Sequence, residues 1–371
     1  MFMKYKISIL LLFIFQGLFS QDPPSDQILD EVVVSTTKIN LPFSKNFRTI
    51  KIISSDEILK SSANNLSDLL QQVTGIDVRR RGVGGVQGDL YIRGGGFDQT
   101  LLLIDGMKMD DAQTGHHTLN MIIPLYLIER IEIIKGPAAR IFGQNAFNGA
   151  INIVTKDVIG EVGKATIKLN ELSYGSFEQK NISITSKVLG DKVKSLISFS
   201  GNRSDGYRHN TDYKKNNFFT KTTFNSKKSP VDLIASFTEN KFGANGFYGY
   251  ASYEDQYEET QSSLVALTTS FVSEKAVWTP RVFWKRGQDE YILIRNNPSA
   301  YRNMHINNKI GFSLDTKLTH SNGNLSGLGV ELSSVSLQSN NLGTHSRTLA
   351  HFFFEHRFKL YNFNITPGFA L

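Results

Sequence analysis

The sequence predicts two unlike parts: a compact α+β domain, then the antiparallel strands of a transmembrane β-barrel. Three observations carry that expectation. Short strands alternate with short capped helices before Lys156, and helical signals vanish after it. The later segments alternate apolar with polar residues at period two, as strands with one greasy and one polar face do. The connections between those segments are alternately short and long, which sorts them to the two sides of a membrane.

Composition agrees. The 371 residues include 30 glycines and 26 phenylalanines but only 9 prolines, a balance suited to many strands and tight turns. The absence of cysteine excludes disulfides, thiol catalysis and thiolate metal sites together. A net charge of +7 invites a nucleic-acid partner, but the Lys and Arg residues are scattered and only Arg79-Arg80-Arg81 forms a run. No nucleic-acid partner is expected.

Residues 1–20 read as a signal peptide. A basic start through Lys4 and Lys6 precedes an apolar core from Ile7 to Phe15, and Gly17, Phe19 and Ser20 lead to a polar exit. Leu18 occupies a position where a small residue is preferred. After Ser20 no apolar run reaches the roughly 18 residues of a membrane helix, so any membrane residence must be as a closed barrel.

Residues 21–40 form a polar, proline-containing leader expected to be disordered. Within it, Asp30-Glu31-Val32-Val33-Val34-Ser35 is a β-branched run suited to pairing as an added strand. Residues 41–157 make the α+β domain. Ser54 and Glu57 form a capping-box pattern. Asn64 or Asn65 caps a helix with Leu66, Leu69, Leu70 and Val73 on one face, and Gly75 stops it. Strands follow at Ile76–Val78, Leu90–Arg93, Leu101–Ile104 and Met107–Met109, with Asp105-Gly106 as a turn. A strand from Arg130 to Lys135 then meets Gly136-Pro137. A small-residue helix ends at Gly143, and Asn148-Gly149 turns into the strand Ala150–Val154.

Residues 158–371 supply about eleven strand-like segments. Ile310, Phe312 and Leu314 oppose Gly311, Ser313 and Asp315; Leu328, Val330 and Leu332 oppose Gly329, Glu331 and Ser333. Gly190-Asp191, Ser226 to Pro230, Ser273 to Ala276 and Ser321 to Asn324 are tight connections. Asn202 to Asn216, Lys241 to Glu258 and Gly287 to Asn303 are the long ones. Tyr174, Phe218, Tyr257, Trp278, Trp284 and Tyr361 are candidates for aromatic girdles. The last run, Phe363 to Leu371, reads as one unfinished strand.

Four motifs give this order a family likeness. Leu66-Ser67-Asp68-Leu69-Leu70 with Gly75-Ile76-Asp77-Val78, then Tyr91-Ile92-Arg93-Gly94, Leu103-Ile104-Asp105-Gly106, and finally Ile131 to Lys156 closely resemble the plug domain of TonB-dependent outer-membrane receptors. The resemblance covers residues 30–157 by motif and the remainder by architecture alone. It implies a plug inside a barrel of twenty-two strands, of which about eleven are encoded here; at about 20 residues each a full barrel takes roughly 440 residues. It implies a Gram-negative outer-membrane location, lipid around the barrel and the TonB energy-coupling protein as partner. Asp30, Glu31, Val32, Val33, Val34 and Ser35 would be the TonB box. The imported ligand would be a small molecule such as a metal chelate, of siderophore or cobalamin type, and no covalent chemistry or cofactor is implied.

The resemblance also assigns binding residues. Apical loops at Arg79 to Asp89 and Asp110 to Asn120 would offer Arg79, Arg80, Arg81, Gln87, Asp89, Asp110, Gln113, His116 and His117 to the ligand. Gln87 stands where a dinucleotide fingerprint needs its last glycine, so a phosphate loop is not expected. Arg93 and Lys135 resemble plug cations that pair with acidic groups on the barrel wall, and Glu331 faces the polar side. Adjacent His116 and His117 point oppositely on extended backbone, with no third ligand near in the chain, so no metal site is expected. Glu254, Asp255, Glu258 and Glu259 read as a solvated outer loop rather than a calcium site. Two rival readings are a truncated, non-functional receptor fragment and a secreted soluble β-rich binding protein. An enzyme would need a nucleophile–base or paired-carboxylate constellation, and none is spaced for it.

Overall fold

The computed structural model describes residues 33–34, 41–42 and 50–371, except 83, 85, 121–122, 137, 227–228, 250–251, 322 and 361–362. The expected signal peptide, and Asp30, Glu31, Val32 and Ser35 of the expected box, lie outside the described residues. The architecture below is that of the unit Val34–Leu371. Val33–Val34 (β1) and Leu41–Pro42 (β2) are short extended stretches.

Local chemistry sets the first domain. Strand β3 (Ile50–Ser54) runs into helix α1 (Ser55–Lys60) through a reciprocal cap: Glu57 N donates to Ser54 Oγ at 3.3 Å and Ser54 N donates to the Glu57 carboxylate at 2.8 Å. Helix α2 (Leu66–Gln71) is capped by Asn65, whose Oδ1 accepts from Asp68 N at 3.0 Å. Leu66, Leu69, Leu70 and Val73 are all buried on its inner side.

Strands β4 (Ile76–Arg81) and β5 (Gln87–Ile92) then pair with each other as a separate hairpin. Arg79 sits opposite Asp89 and Arg81 opposite Gln87. Most of the loop expected over 79–89 is therefore strand. Charge and glycine, both uncommon in strands, disguised it.

Strands β6 (Thr100–Ile104) and β7 (Met107–Lys108) turn at Asp105 and Gly106, both at positive φ (47° and 80°), the geometry of a two-residue hairpin. β8 (Ile128–Lys135), helix α3 (Ala139–Phe142) and β9 (Gly149–Thr155) complete a five-stranded sheet in the order β3-β8-β9-β6-β7. β6 lies parallel to β9 and is buried along its whole length, which explains the continuous Thr-Leu-Leu-Leu-Ile run. Gly149 is required: a Cβ there would lie 2.3 Å from the Ile134 carbonyl oxygen.

The rest is one antiparallel meander. It contains β10 (Ala165–Gly175), β11 (Gln179–Leu189), β12 (Val193–Ser204), β13 (Tyr213–Phe224), β14 (Val231–Gly243), β15 (Tyr257–Thr269), short β16 (Phe271–Val272), β17 (Ala276–Ile292), β18 (Arg302–Thr319), β19 (Leu325–Ser339), β20 (Gly343–Leu360), and short β21 (Phe363–Ile365) and β22 (Gly368–Ala370). The sheet has 13 strands and is open: among the described residues β10 pairs only with β11. The terminal run is two three-residue pieces rather than one strand, both set against β20. Pro367 between them has no N–H to give a ladder. Several strands run further than expected, leaving connections of only 205–212, 244–256 and 293–301 at the long-loop end. Their ends carry polar inward residues, which a reading by composition takes for loop.

The sheet is inside out. Ser198, Lys215, Asn217, Thr238, Lys285 and Lys309 are buried on the face that meets the first domain. Apolar side chains occupy the other face and stay exposed. Leu169, Ile184, Phe199, Phe218 and Phe237 form one row across β10 to β14, each opposite the next. Phe199 is 60% exposed and Ile310 59%. A secreted, water-facing sheet would put charge there instead. Of the expected girdle, Tyr174 and Trp278 are exposed near strand ends, whereas Phe218 and Trp284 lie in mid-strand, where Phe218 packs on Phe199 at 5.0 Å between ring centroids. Tyr361 lies outside the described residues.

Candidate functional site

Lysines on the wall reach inward to the first domain. Asp110, just past β7, meets Lys309 Nζ at 2.6 Å, both nearly buried. Lys285 Nζ donates to the carbonyls of Met109 at 3.0 Å and Asp110 at 2.7 Å. One residue earlier than Met109, Lys108 extends outward to Glu331 at 2.8 Å. Lower on the wall, Lys221 bonds Asp157 at 2.8 Å. Near the long-loop end Lys215 donates to the Gly84 carbonyl, and Tyr126 Oη shares a 2.8 Å hydrogen bond with Ser198 Oγ. Buried charges survive only when paired in this way.

Two expectations are corrected here. Glu331 does face the lumen, but its partner is Lys108, not Arg93 or Lys135. Arg93 is exposed in a left-handed turn (φ 51°), and the Lys135 ammonium donates to the Thr74 carbonyl. Among the described residues neither forms an ion pair, because both lie at the Gly75 and Gly136 corner, away from β19. Asp110, expected in an apical loop, is anchored to the wall by Lys309.

The second apical loop is shaped by Asp111. Its carboxylate accepts from the backbone N–H groups of Gln113, Thr114 and Gly115 at 3.2, 3.1 and 2.8 Å. Burial alone raises the Asp111 carboxyl, but His117, Lys285 and those N–H donors hold it below the usual aspartate range. Gly115 takes φ 84° under the Phe97 ring, where a Cβ would come within 2.8 Å. His116 stacks on Phe97 at 4.3 Å between centroids, and its Nδ1 hydrogen-bonds Asp89 at 2.8 Å.

His117 points the other way, into the wall. Its Nε2 is 3.5 Å from Asp289 of β17, and its Nδ1 is 4.0 Å from Glu258 of β15. Burial opposes a charge on the ring, but Asp289, Asp111 and Glu258 outweigh it and push the pKa up to about 10. His117, Glu258 and Asp289 each offer a donor atom within 4.8 Å of the others. The expectation of no third ligand near His117 therefore fails in space: the carboxylates come from strands more than a hundred residues away. The four acidic residues of 254–259 do not converge, since Asp255 pairs with His209 at 2.6 Å and Glu259 with Lys241 at 3.1 Å.

At this cluster a cavity of about 390 Å³ is lined by Gln87, Gln113, His116 and His117 from the first domain, and by Tyr248, Tyr291, Tyr301 and His305 from the wall among others. Tyr248 Oη donates to Glu258. Arg81 stacks over the Tyr248 ring at 5.2 Å. Arg79 lies over Tyr91 at 4.3 Å and Arg80 pairs with Asp68, so neither lines the cavity. Sequence reasoning missed Tyr248, Asp289, Tyr291 and His305, and read Glu258 as part of a solvated outer loop, whereas it is buried on β15. For those on strands the signal was parity: Lys285 and Asp289, like Lys309, Asn307 and His305, are separated by even numbers of residues and so share the inward face.

Residues 44–150 match the family model of the TonB-dependent receptor plug domain. These residues form a TonB-dependent receptor plug domain. The plug is the domain of β3 to β9, and the wall is the open sheet. Among curated relatives, a vitamin B12 transporter, BtuB, of Vibrio vulnificus is 26% identical over 269 residues, covering 71% of this chain and 43% of the transporter. The BtuB of Vibrio cholerae is 30% identical over 179 residues, covering 48% of this chain and 28% of its own. Solved folds agree. The siderophore receptor PirA of Pseudomonas aeruginosa superposes with a TM-score of 0.68 at 17% identity, over 87% of this chain and 55% of PirA. The unliganded ferric citrate transporter FecA gives 0.71 at 14% identity, over 88% and 56%. The chain thus spans less than half the length of the B12 transporters it matches.

Proposed function

We propose that this chain serves TonB-dependent import across a Gram-negative outer membrane, taking a scarce ligand of cobalamin or siderophore type. The observation that carries the reading is the inside-out sheet: an exposed apolar outer face, and a polar inner face that grips the plug through Lys309, Lys285, Lys221 and Glu331. A protein folded in water has no use for that arrangement; one surrounded by lipid requires it.

In this reading the ligand enters between the long loops and rests on Gln87, Gln113 and the tyrosines of the cavity. Tyrosine and glutamine suit a large, amphipathic ligand, through ring faces and directed hydrogen bonds. The Asp30–Ser35 segment is offered to the TonB protein as an added strand, and pulling on it unseats the plug by breaking the lysine–carboxylate pairs. Nothing is covalently changed, so no catalytic residue is assigned.

The test is direct binding followed by uptake. The chain, purified in detergent, is titrated with cyanocobalamin and with ferric siderophores, and transport is measured in cells lacking their own receptors. Saturable binding of one class, weakened by Gln113→Ala, is the expected result. Failure to bind either class, in protein shown to be folded, would remove the ligand reading.

A further inference from the structure

We propose that His117, Glu258 and Asp289 bind one divalent transition-metal ion of the zinc class at the junction of plug and wall. The inference rests on the geometry of this cluster and not on the import reading, which concerns a larger ligand in the cavity that these residues also line.

The donor set is the first reason. One imidazole and two carboxylates, their donor atoms within 4.8 Å of one another, suit zinc and its neighbours, and a small turn of the side chains closes them to bonds of about 2 Å. Calcium and magnesium prefer an all-oxygen shell, which a histidine spoils. No thiolate is needed, and the chain has none.

Unsatisfied acceptors are the second and independent reason. Glu258 is 2% exposed and Asp289 7%, yet Glu258 Oε1 and Asp289 Oδ1 have no hydrogen-bond partner among the described residues. The same holds for His305 Nδ1, Gln87 Oε1 and Gln113 Oε1, all on residues lining the one cavity. Buried acceptors left without donors are costly. Here five such atoms line one cavity, and those of Glu258 and Asp289 belong to the converging cluster, where a cation offers them a partner.

The partners that do exist orient the site. Tyr248 Oη holds the other oxygen of Glu258, Gln113 Nε2 donates to the other oxygen of Asp289 at 3.3 Å, and the Asn120 amide lies 2.9 Å from His117 Nδ1. Each ligand is thus oriented by an outer hydrogen bond, as metal ligands usually are. The free Oε1 of Glu258 lies 4.0 Å from His117 Nδ1, and Asp289 approaches His117 Nε2 at 3.5 Å through the same oxygen that Gln113 holds. Because His117 belongs to the plug and both carboxylates to the wall, an ion here ties the second apical loop to the barrel.

The experiment uses the whole chain in detergent micelles. Zinc is added, excess is removed by gel filtration, and bound metal is counted by mass spectrometry. Cobalt(II) is added in parallel for its visible spectrum. One zinc per chain is expected, resistant to a large excess of calcium or magnesium, with a cobalt spectrum of mixed nitrogen and oxygen ligation. Glu258→Gln and Asp289→Asn, which keep side-chain volume, should each weaken zinc at least ~10-fold. His209→Ala, on an exposed outer loop, should leave it unchanged. Circular dichroism and gel mobility before heating verify that each variant is folded. Absence of zinc in the folded wild type, equal affinity in the carboxylate variants, or displacement by calcium would each overturn the proposal.

Discussion

Lys309 and Asp110 meet at 2.6 Å across the boundary between wall and plug, 199 residues apart in the chain. Neither has water to fall back on, since their side chains are only 5% and 9% exposed. Removing one partner of such a pair strands a buried charge at a cost of about 3–5 kcal/mol. Lys309→Met should therefore lower the opening free energy of residues 107–120 by that amount in hydrogen exchange. The double variant Lys309→Met with Asp110→Asn should recover most of the loss. Equal protection in all three proteins would show that the pair does not hold the plug.

Acid should act on the same contact. Burial alone raises the Asp110 carboxyl, but Lys309 and Lys285, with Lys108 beyond them, hold it below the usual aspartate range. A lowered carboxyl contributes stability that is fully present above the unfolded value of about 4 and lost as pH falls through the folded one. Protection of the 107–120 segment should thus rise slightly from pH 7 to about 5 and drop only below about 4. The slight rise comes from the raised His117, which also favours the charged folded form as pH falls through its unfolded value. A loss centred near pH 6 would point to a different group.

Lys108 and Glu331 offer a test of pairing by exchange. Lys108→Glu turns a second carboxylate toward Glu331 in a nearly buried setting and should expose the plug to protease. Adding Glu331→Lys restores the opposite charges and should restore resistance. If the exchanged pair stays as sensitive as the single variant, the contact is incidental.

The outward aromatic row predicts a membrane effect. Phe199→Arg puts a cation in the middle of an exposed apolar band, at a cost of about 2–4 kcal/mol in a bilayer. The folded, heat-modifiable band on a gel should diminish in lipid vesicles. Ser198→Arg, one residue away on the plug side, should instead disturb plug packing through the lost Tyr126 hydrogen bond. Identical behaviour of the two variants would mean that the faces are misassigned.

Local features were readable from the chain because their causes are local. The Ser54–Glu57 cap, the Asn65 cap, the Asp105-Gly106 turn and the period-two strands each arise within a few residues. The hairpin of β4 and β5 was hidden because Arg79, Arg81 and the flanking glycines have loop-like composition, while its ladder depends on pairing. The wall contacts were hidden for a different reason. A lysine such as Lys309 or a carboxylate such as Asp289 declares its face by parity, but its partner is fixed only when the plug docks. That is how Glu331 came to be matched with Arg93 and Lys135 instead of Lys108, and how the convergence of Glu258 and Asp289 on His117 went unseen.

The natural absence of cysteine permits single-site labelling without background. Spin labels placed in turn at Ile197, Ser198, Phe199 and Ser200, and at Ile310, Gly311 and Phe312, in protein reconstituted into bilayers, report collision with oxygen dissolved in lipid and with a water-soluble nickel chelate. If lipid surrounds the sheet and the plug fills its concave side, oxygen access should peak at Phe199, Ile310 and Phe312 and drop at Ser198, with chelate access low at the peaks. Free chelate access at Phe199 and Ile310 would place that face in water and contradict a barrel built around a plug.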